Sequence, residues 1–304
     1  MLIMTLVTTL AAGMVWQQYR AIQVEGAERA RTQAAWILSG ALDWARLILR
    51  EDGRTSAQSD HLGEPWAVPL AEARLSTFLA ADSNSNSVAE NDSLEAFLSG
   101  SITDAQSRWN LRRLVDAEGK SVEAEVKALQ RLCDAAGATG DCASRIVAAL
   151  VRAWGPAGSD DSKAGAIEPK RLSQLAWLGI DSDTLKRLEP FVILLPDRQL
   201  KINLNTASAE VIAAVVEGYL GNAQRLVQDR QRAHLRNLDA AAQYFPSPPR
   251  PLGQVADVNT SYFIVQGRLR LEERLLEERS LVHRTGGTTL TVVSRERVSL
   301  REGT

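Results

Sequence analysis

Few side chains in this 304-residue sequence have chemistry to offer, and their spacing narrows what that chemistry could be. Cys133 and Cys142 sit close together in RLCDAAGATGDCASR. Two thiols alone at that spacing support neither a zinc site nor a redox motif. In an oxidising compartment they would close a loop of about ten residues as a disulfide worth about 2 to 3 kcal/mol. The alternative is two unrelated buried thiols. His61, His234 and His283 are scattered and fall in no metal-ligand spacing, which argues against zinc or histidine-based catalysis. Asp82, Asn84 and Asn86 alternate as oxygen ligands do at the start of a calcium loop, yet the Gly and bidentate Glu of an EF-hand are not in place. A solvated loop is the simpler reading there. Asp160 with Asp161 could bind a hard cation or simply be solvated. Asp104 and Glu210 are candidate acids, but one belongs to a strand turn and the other to a helix's first turn, where a carboxylate favours the dipole. No nucleophile and base share a motif, so the chain reads as no enzyme, with no cofactor required for catalysis.

The element that must position everything else is the stretch from Leu2 to Arg50. It opens with the uncharged run MLIMTLVTTLAAGMVW, meets its first charge at Arg20, and continues without Pro into an amphipathic segment. As a helix it would reach ~75 Å at about 1.5 Å per residue, more than a compact domain needs. Ala27, Ala30, Ala34, Ile37, Ala41, Trp44 and Ile48 recur at spacings of three and four. They form one apolar seam of the kind that packs another helix or a domain face. The opening run falls short of the roughly 20 residues a secure membrane span needs, and no basic residue precedes it. A cleavable signal fits poorly, because the helical pattern runs straight on. The expectation is a membrane-anchored or filament-packed helix whose first residues are missing from this reading frame.

After EDGRTS, where Gly53 supplies a stop, HLGEPWAVPL takes an extended or turned path, and Trp66 plugs against the helix. Ala73 to Ala81 fits strand or helix equally. LEAFLSGSITD and RWNLRRLV read as two short strands. Ser121 to Trp154 is helical around the cysteine loop, with Ile146, Val147, Leu150, Val151 and Trp154 as a core face. Two helical hairpins follow, one turning at Leu178-Gly179-Ile180. The other begins after KINLN, where Asn205 or Thr206 can cap a helix with core face Val211, Ile212, Val215 and Val216. A helix from Asn222 to about Arg236 and the rigid FPSPPRPL close this all-α block. Beyond Val255 the pattern alternates, placing Phe263, Val265, Leu269 and Leu271 on one side, and Gly286-Gly287 turns into TTLTVVSRERV. Strands on both sides of the helical block make it an insertion in an α+β domain. The divisions expected are 1–52, 53–118, 119–252 and 253–304.

The formal net charge of -2 gives no strong electrostatic case for nucleic acid. The hairpins could present backbone amides at Gly179 to phosphate, with Lys170, Arg171, Lys186, Arg187 and Lys201 nearby. Asp181, Asp183, Glu189 and Asp197 balance them, and no basic footprint remains. Nucleic-acid binding is therefore the runner-up, and no nucleic-acid partner is expected.

In order and in detail, several segments resemble the type II secretion system protein K family of minor pseudopilins, also called general secretion pathway protein K. They are DWARLILREDGR, HLGEPWA, ITDAQSRWNLRRL, LPDRQLKINLNTASAEVI, SYFIVQGRLRL and TTLTVVSRERV. The resemblance covers essentially the whole chain. It implies a pilin-like fold: a long N-terminal helix on an antiparallel sheet, with a large inserted all-α domain containing helix-hairpin-helix-like repeats. It also implies assembly through the helix seam with the minor pseudopilins I and J at the tip of a periplasmic pseudopilus that exports folded proteins. The subunit would be drawn from the inner membrane, spanning it once with its ectodomain in the periplasm. No catalysis is implied. The family's prepilin peptidase would act on the full-length precursor, because no leader ending in a basic run and Gly precedes Met1. In the family's DxxGRxNLNxL pattern, Asp104, Arg108, Asn110, Leu111 and Leu114 match, while Ser107 and Arg112 depart and put the local turn in doubt. The family's structural calcium would fall to Asp160, Asp161 and Glu168.

Overall fold

In the computed structural model, residues 2–55, 58–75, 96–138, 140–155, 167–271 and 274–301 are described. Helix α1 (Leu2–Thr55) runs 54 residues, about 80 Å at 1.5 Å per residue. Among the described residues its first buried side chain is Ala34, so more than half of it stands clear of the described fold. From there Ala34, Leu38, Leu42, Ala45 and Leu49 form a stripe at spacings of four and three that lies on a sheet. Each buried leucine is worth roughly 2 kcal/mol, which holds the helix down. The helix continues through Gly53 instead of stopping there, because Gly53 serves a different contact, taken up in the Discussion.

The sheet has five antiparallel strands in the order β1 (Leu70–Arg74), β2 (Ala96–Asp104), β7 (Tyr262–Leu271), β8 (Arg274–Thr285) and β9 (Thr289–Arg301). Neighbours β2 and β7 pair from Ala96 opposite Leu271 to Asp104 opposite Phe263. Everything from residue 105 to 261 is thus inserted between two adjacent strands, a wider insertion at both ends than the 119–252 expected, because Trp109–Asn110 and Ala256–Asp257 pair within the block and not with the sheet. Successive strand residues face opposite sides. Phe263, Val265, Leu269 and Leu271 meet α1, as expected, and Trp66 fills the gap beside them, edge-on to Phe263 at 5.3 Å. Tyr262 and Ile264 face the other way and pack with Ala105 and Leu195 of the insertion. Helix and inserted block therefore clamp the sheet from opposite faces.

Inside the block, α2 (Glu123–Ala135) and α3 (Cys142–Trp154) are joined by the Cys133–Cys142 disulfide, both cysteines being buried. Ile146 and Leu150 are fully buried, with Val147, Val151 and Trp154 packed at the margin. The segment RWNLRRLV is not a full strand. After β3 (Trp109–Asn110) the Asn110 side chain accepts from Arg112 N at 3.1 Å and turns Leu111–Leu114 into a 3-10 helix. β3 pairs in parallel with β4 (Val192–Ile193).

The two expected hairpins differ in their elements. The first is a 3-10 helix, Leu172–Leu178, turned by left-handed Gly179 (φ 87°) into the short α4 (Ser182–Leu188). The second joins α5 (Ala209–Val216) and α6 (Leu220–Arg232) through Glu217 at φ 59°. The cap of α5 is Ser208, accepting from Val211 N at 3.3 Å, and not Asn205 or Thr206, which have work elsewhere. FPSPPRPL is held by more than proline stiffness: Arg250 reaches back to the buried Glu125 at 2.8 Å, beside Arg113 at 2.9 Å. The short strands β5 (Ile202–Asn203) and β6 (Ala256–Asp257), paired in parallel, return the chain to β7. Ala73 begins on β1, but residues 76–95, including Asp82, Asn84 and Asn86, lie outside the described residues.

Candidate assembly surface and the joint behind it

On α1 the seam read from the sequence and the stripe laid on the sheet have the same rhythm, one residue out of step. Ile37, Ala41, Trp44 and Ile48 each precede a residue of the buried set Leu38, Leu42, Ala45 and Leu49. One residue is about 100° of helix, so the seam runs along the flank of the sheet contact. Ile37, Ala41 and Ile48 touch the sheet's clusters from the side, while Trp44 is 49 % exposed. Ala34 is the seam member that is wholly buried, and Ala27 and Ala30 are half-buried. The leucines at 38, 42 and 49 were the signal that could have placed the sheet contact. Upstream, Leu6, Leu10, Met14, Trp16 and Ile22 are all exposed, as is Trp36 further along. Among the described residues no helix is long and apolar enough to cross a membrane.

Where α1 ends, a buried polar joint fixes its direction relative to the sheet and the inserted block. Arg284 of β8 donates to Asp52 at 2.7 Å, to Asp60 and to the Thr260 carbonyl at 3.2 Å, with its guanidinium over the Phe263 ring. Asp60 also accepts from Thr260 N at 2.7 Å, and Glu64 accepts from Trp66 Nε1 at 2.7 Å and His61 N at 2.9 Å. Asp52, Asp60 and Glu64 are buried with ligand-capable oxygens within 4.8 Å of one another. Burial first, then the neighbouring Glu64, pushes the Asp52 carboxyl up to about 6 against the pull of Arg284.

Asp104, at the end of β2, is a further buried acid of this region. Its carboxylate accepts from Gln106 N at 2.7 Å, Asn203 Nδ2 at 2.9 Å and Thr206 Oγ1 at 2.5 Å. Burial nevertheless pushes it up to about 6. Asn203 Nδ2 also donates to the Asp60 carbonyl at 3.0 Å, linking the two acids' surroundings. Gln106 takes Ser261 N at 2.8 Å and gives to the Lys201 carbonyl at 2.8 Å, and Asn110 binds the Asp197 carbonyl and Leu195 N. The pattern positions 104 and 110, with Gln106, thus stitch the segment 195–206 and the start of β7 to the end of β2. Asn205, read from the sequence as a helix cap, instead makes a closed pair of bonds with Leu235.

Two histidines that look unrelated in sequence meet at this joint. His61 and His234 stack with ring centroids 3.7 Å apart, and burial lowers the pKa of each. Of the residues expected to bind calcium, Asp160 and Asp161 lie outside the described residues. Glu168 accepts from Arg112 at 2.6 Å and is largely exposed, so it is engaged as an ion-pair partner.

Two family models, each described as type II secretion system (T2SS), protein K, match residues 107–197 and 202–259. A type II secretion system protein K of Pectobacterium carotovorum subsp. carotovorum is 28 % identical, covering 97 % of this chain and 93 % of its own length. One from Pseudomonas aeruginosa is also 28 % identical, covering 90 % and 83 %. Among solved structures, the GspK-GspI-GspJ complex from the enterotoxigenic Escherichia coli type 2 secretion system contains a chain of similar fold. Its TM-score is 0.67 at 18 % identity, covering 90 % of this chain and 98 % of that one. With the two family models matching both halves of the insertion and the relatives aligned over nearly the whole chain, the chain is similar along its length to the type II secretion system protein K family.

Proposed function

We propose that this chain sits at the tip of a type II secretion pseudopilus and supports export of folded proteins across the outer membrane, in complex with the minor pseudopilins I and J. The coarser role, minor pseudopilin in type II secretion, comes with the family. The observation that carries the proposal is the division of α1. Its second half buries one stripe on the sheet, while on its first half Leu6, Leu10, Met14 and Ile22 are exposed among the described residues. Such a surface needs lipid or other helices around it. The I and J partnership is taken from the complex in which the similar fold is found. The bulk of residues 105–261 beside the sheet suits a subunit on which no further subunit stacks.

Purification of the full chain in detergent with the I and J pseudopilins of the same organism tests the complex, and separate elution of all three would sink it. Immunogold labelling of sheared pseudopili tests the tip: gold at one end supports it, and gold along the shaft overturns it. Residence in the inner membrane before assembly belongs to the same reading, and carbonate extraction of cells lacking I and J tests it. Structural calcium also remains a proposal. Asp52 Oδ1, buried and without a hydrogen-bond partner among the described residues, marks Asp52, Asp60 and Glu64 as the donors to test. An unchanged thermal midpoint between calcium and EGTA would dismiss them.

A further inference from the structure

Between the inserted block and the sheet face opposite α1 lies a crevice of about 490 Å3. Its floor is apolar, with Leu185 and Val192 from the block against Ile264 and Leu281 from the sheet. Its charged lining is one-sided. Two ion pairs cross from block to sheet, Arg171 to Glu296 at 3.2 Å and Arg279 to Glu189 at 3.6 Å, and these use both carboxylates that line the crevice. Three further cations line it: Arg108, Lys170 and Lys186. Among the described residues none of the three is in an ion pair. The Arg108 guanidinium donates to the Glu189 carbonyl at 3.3 Å, and its burial lowers its pKa. The acids that balance this region on paper are engaged elsewhere, Asp183 with Arg187 at 2.8 Å and Asp181 with Thr184 and Arg145. In a chain of net charge -2, this leaves a local excess of three positive charges over an apolar floor.

From this juxtaposition we infer that the crevice is a docking site for an acidic, partly apolar polypeptide segment of another protein. The chemistry selects that class. Guanidinium and ammonium groups beside an apolar wall favour carboxylates whose neighbours can fill the floor. The volume holds roughly three to five residues, at the 100 to 150 Å3 typical of one residue in a packed interior. A nucleic-acid duplex, some 20 Å across, does not enter it, and free phosphate would leave the floor unfilled. The inference goes beyond assembly through α1, since the crevice is on the opposite face of the sheet.

The test uses the full chain in non-ionic detergent and fluorescence anisotropy with a labelled hexapeptide alternating leucine and glutamate, beside its leucine and glutamine counterpart. The glutamate peptide should bind about tenfold more tightly than the glutamine one, and Lys186→Glu or Lys170→Glu should each weaken it by about tenfold. Both lysines are exposed, so both variants should keep the parent's circular dichroism and unfolding midpoint. Lys186→Gln, with an intermediate loss, guards against a misfolded reversal. Equal binding of the two peptides, no binding, or unchanged affinity in the lysine variants overturns the inference. Full displacement of the peptide by millimolar inorganic phosphate, with the same dependence on Lys186, overturns it too and leaves a simple anion site.

Discussion

Gly53 in the last turn of α1 and Gly287 in the β8–β9 turn meet backbone to backbone: a Cβ on Gly53 would lie 1.8 Å from the Gly287 carbonyl oxygen. Gly286 and Gly287 both have positive φ, so the turn cannot easily move to make room. The helix thus closes on the hairpin only because one residue has no side chain. Gly53→Ala should lower stability by roughly 2 kcal/mol despite alanine's better helix propensity. Gly26→Ala, with open space around it, should gain up to about 1 kcal/mol. Urea midpoints of the two variants should move in opposite directions, and a shared direction would contradict the contact.

The Cys133–Cys142 disulfide ties the end of α2 to the start of α3 inside the block's core. Its closure of a short loop should be worth about 2.5 kcal/mol through the unfolded chain. Replacing both cysteines by alanine should lower the urea midpoint accordingly, and dithiothreitol should bring the parent down by a similar amount while leaving the double variant unmoved. A parent insensitive to reductant would show that the bridge contributes nothing to the native state's stability.

Periodicity made the long helix, the inserted block and the closing strands legible, because each buries one face at a fixed period of the sequence. Trp66 was legible for a different reason: a large ring in a proline-rich loop has few places to go other than inward. The rotation of α1 was not legible. Ile37, Ala41, Trp44 and Ile48 repeat with the same rhythm as Leu38, Leu42, Ala45 and Leu49, and only the sheet decides between them. The joint was not legible either, since Asp52 with Asp60, Asp104, Asn203 and Arg284 come from four separate stretches. Asn205 misled because a residue suited to capping a helix can equally close a loop, here onto Leu235.

Asp104 supplies the pH dependence that is simplest to isolate. Its folded pKa of about 6 lies above the 3.8 of an unfolded aspartate, so the folded chain binds this proton more readily. Its contribution is therefore fully present below pH 3.8 and is lost as pH rises through about 6. Asp104→Asn removes that titration. The stability of the parent relative to the variant should rise as pH is lowered from 7 to 4, by no more than ~3 kcal/mol for a shift of about two units. The slope of that difference is the test, because the variant also disturbs the bonds to Asn203 and Thr206. A flat difference across this range would mean that Asp104 stays ionised at an ordinary pKa.

The two halves of α1 should respond differently to the same charge. Ala34 is 1 % exposed against the sheet, so Ala34→Glu would bury an unpaired carboxylate and cost roughly 3 kcal/mol or more. It cannot test assembly, since it damages the subunit first. Ala27 lies upstream of the first buried side chain, and Ala27→Glu should leave the unfolding midpoint within roughly 0.5 kcal/mol of the parent. The same holds for Trp36→Ala, whose ring is 75 % exposed. If α1 assembles with other helices through its projecting half and outer face, both variants should lower the yield of complex with I and J, and secretion with it. Undiminished complex in both would move the interface off this helix. Loss in Ala27→Glu alone would confine it to the half that stands clear of the sheet, where Leu6, Leu10, Met14 and Ile22 offer other helices an exposed apolar surface.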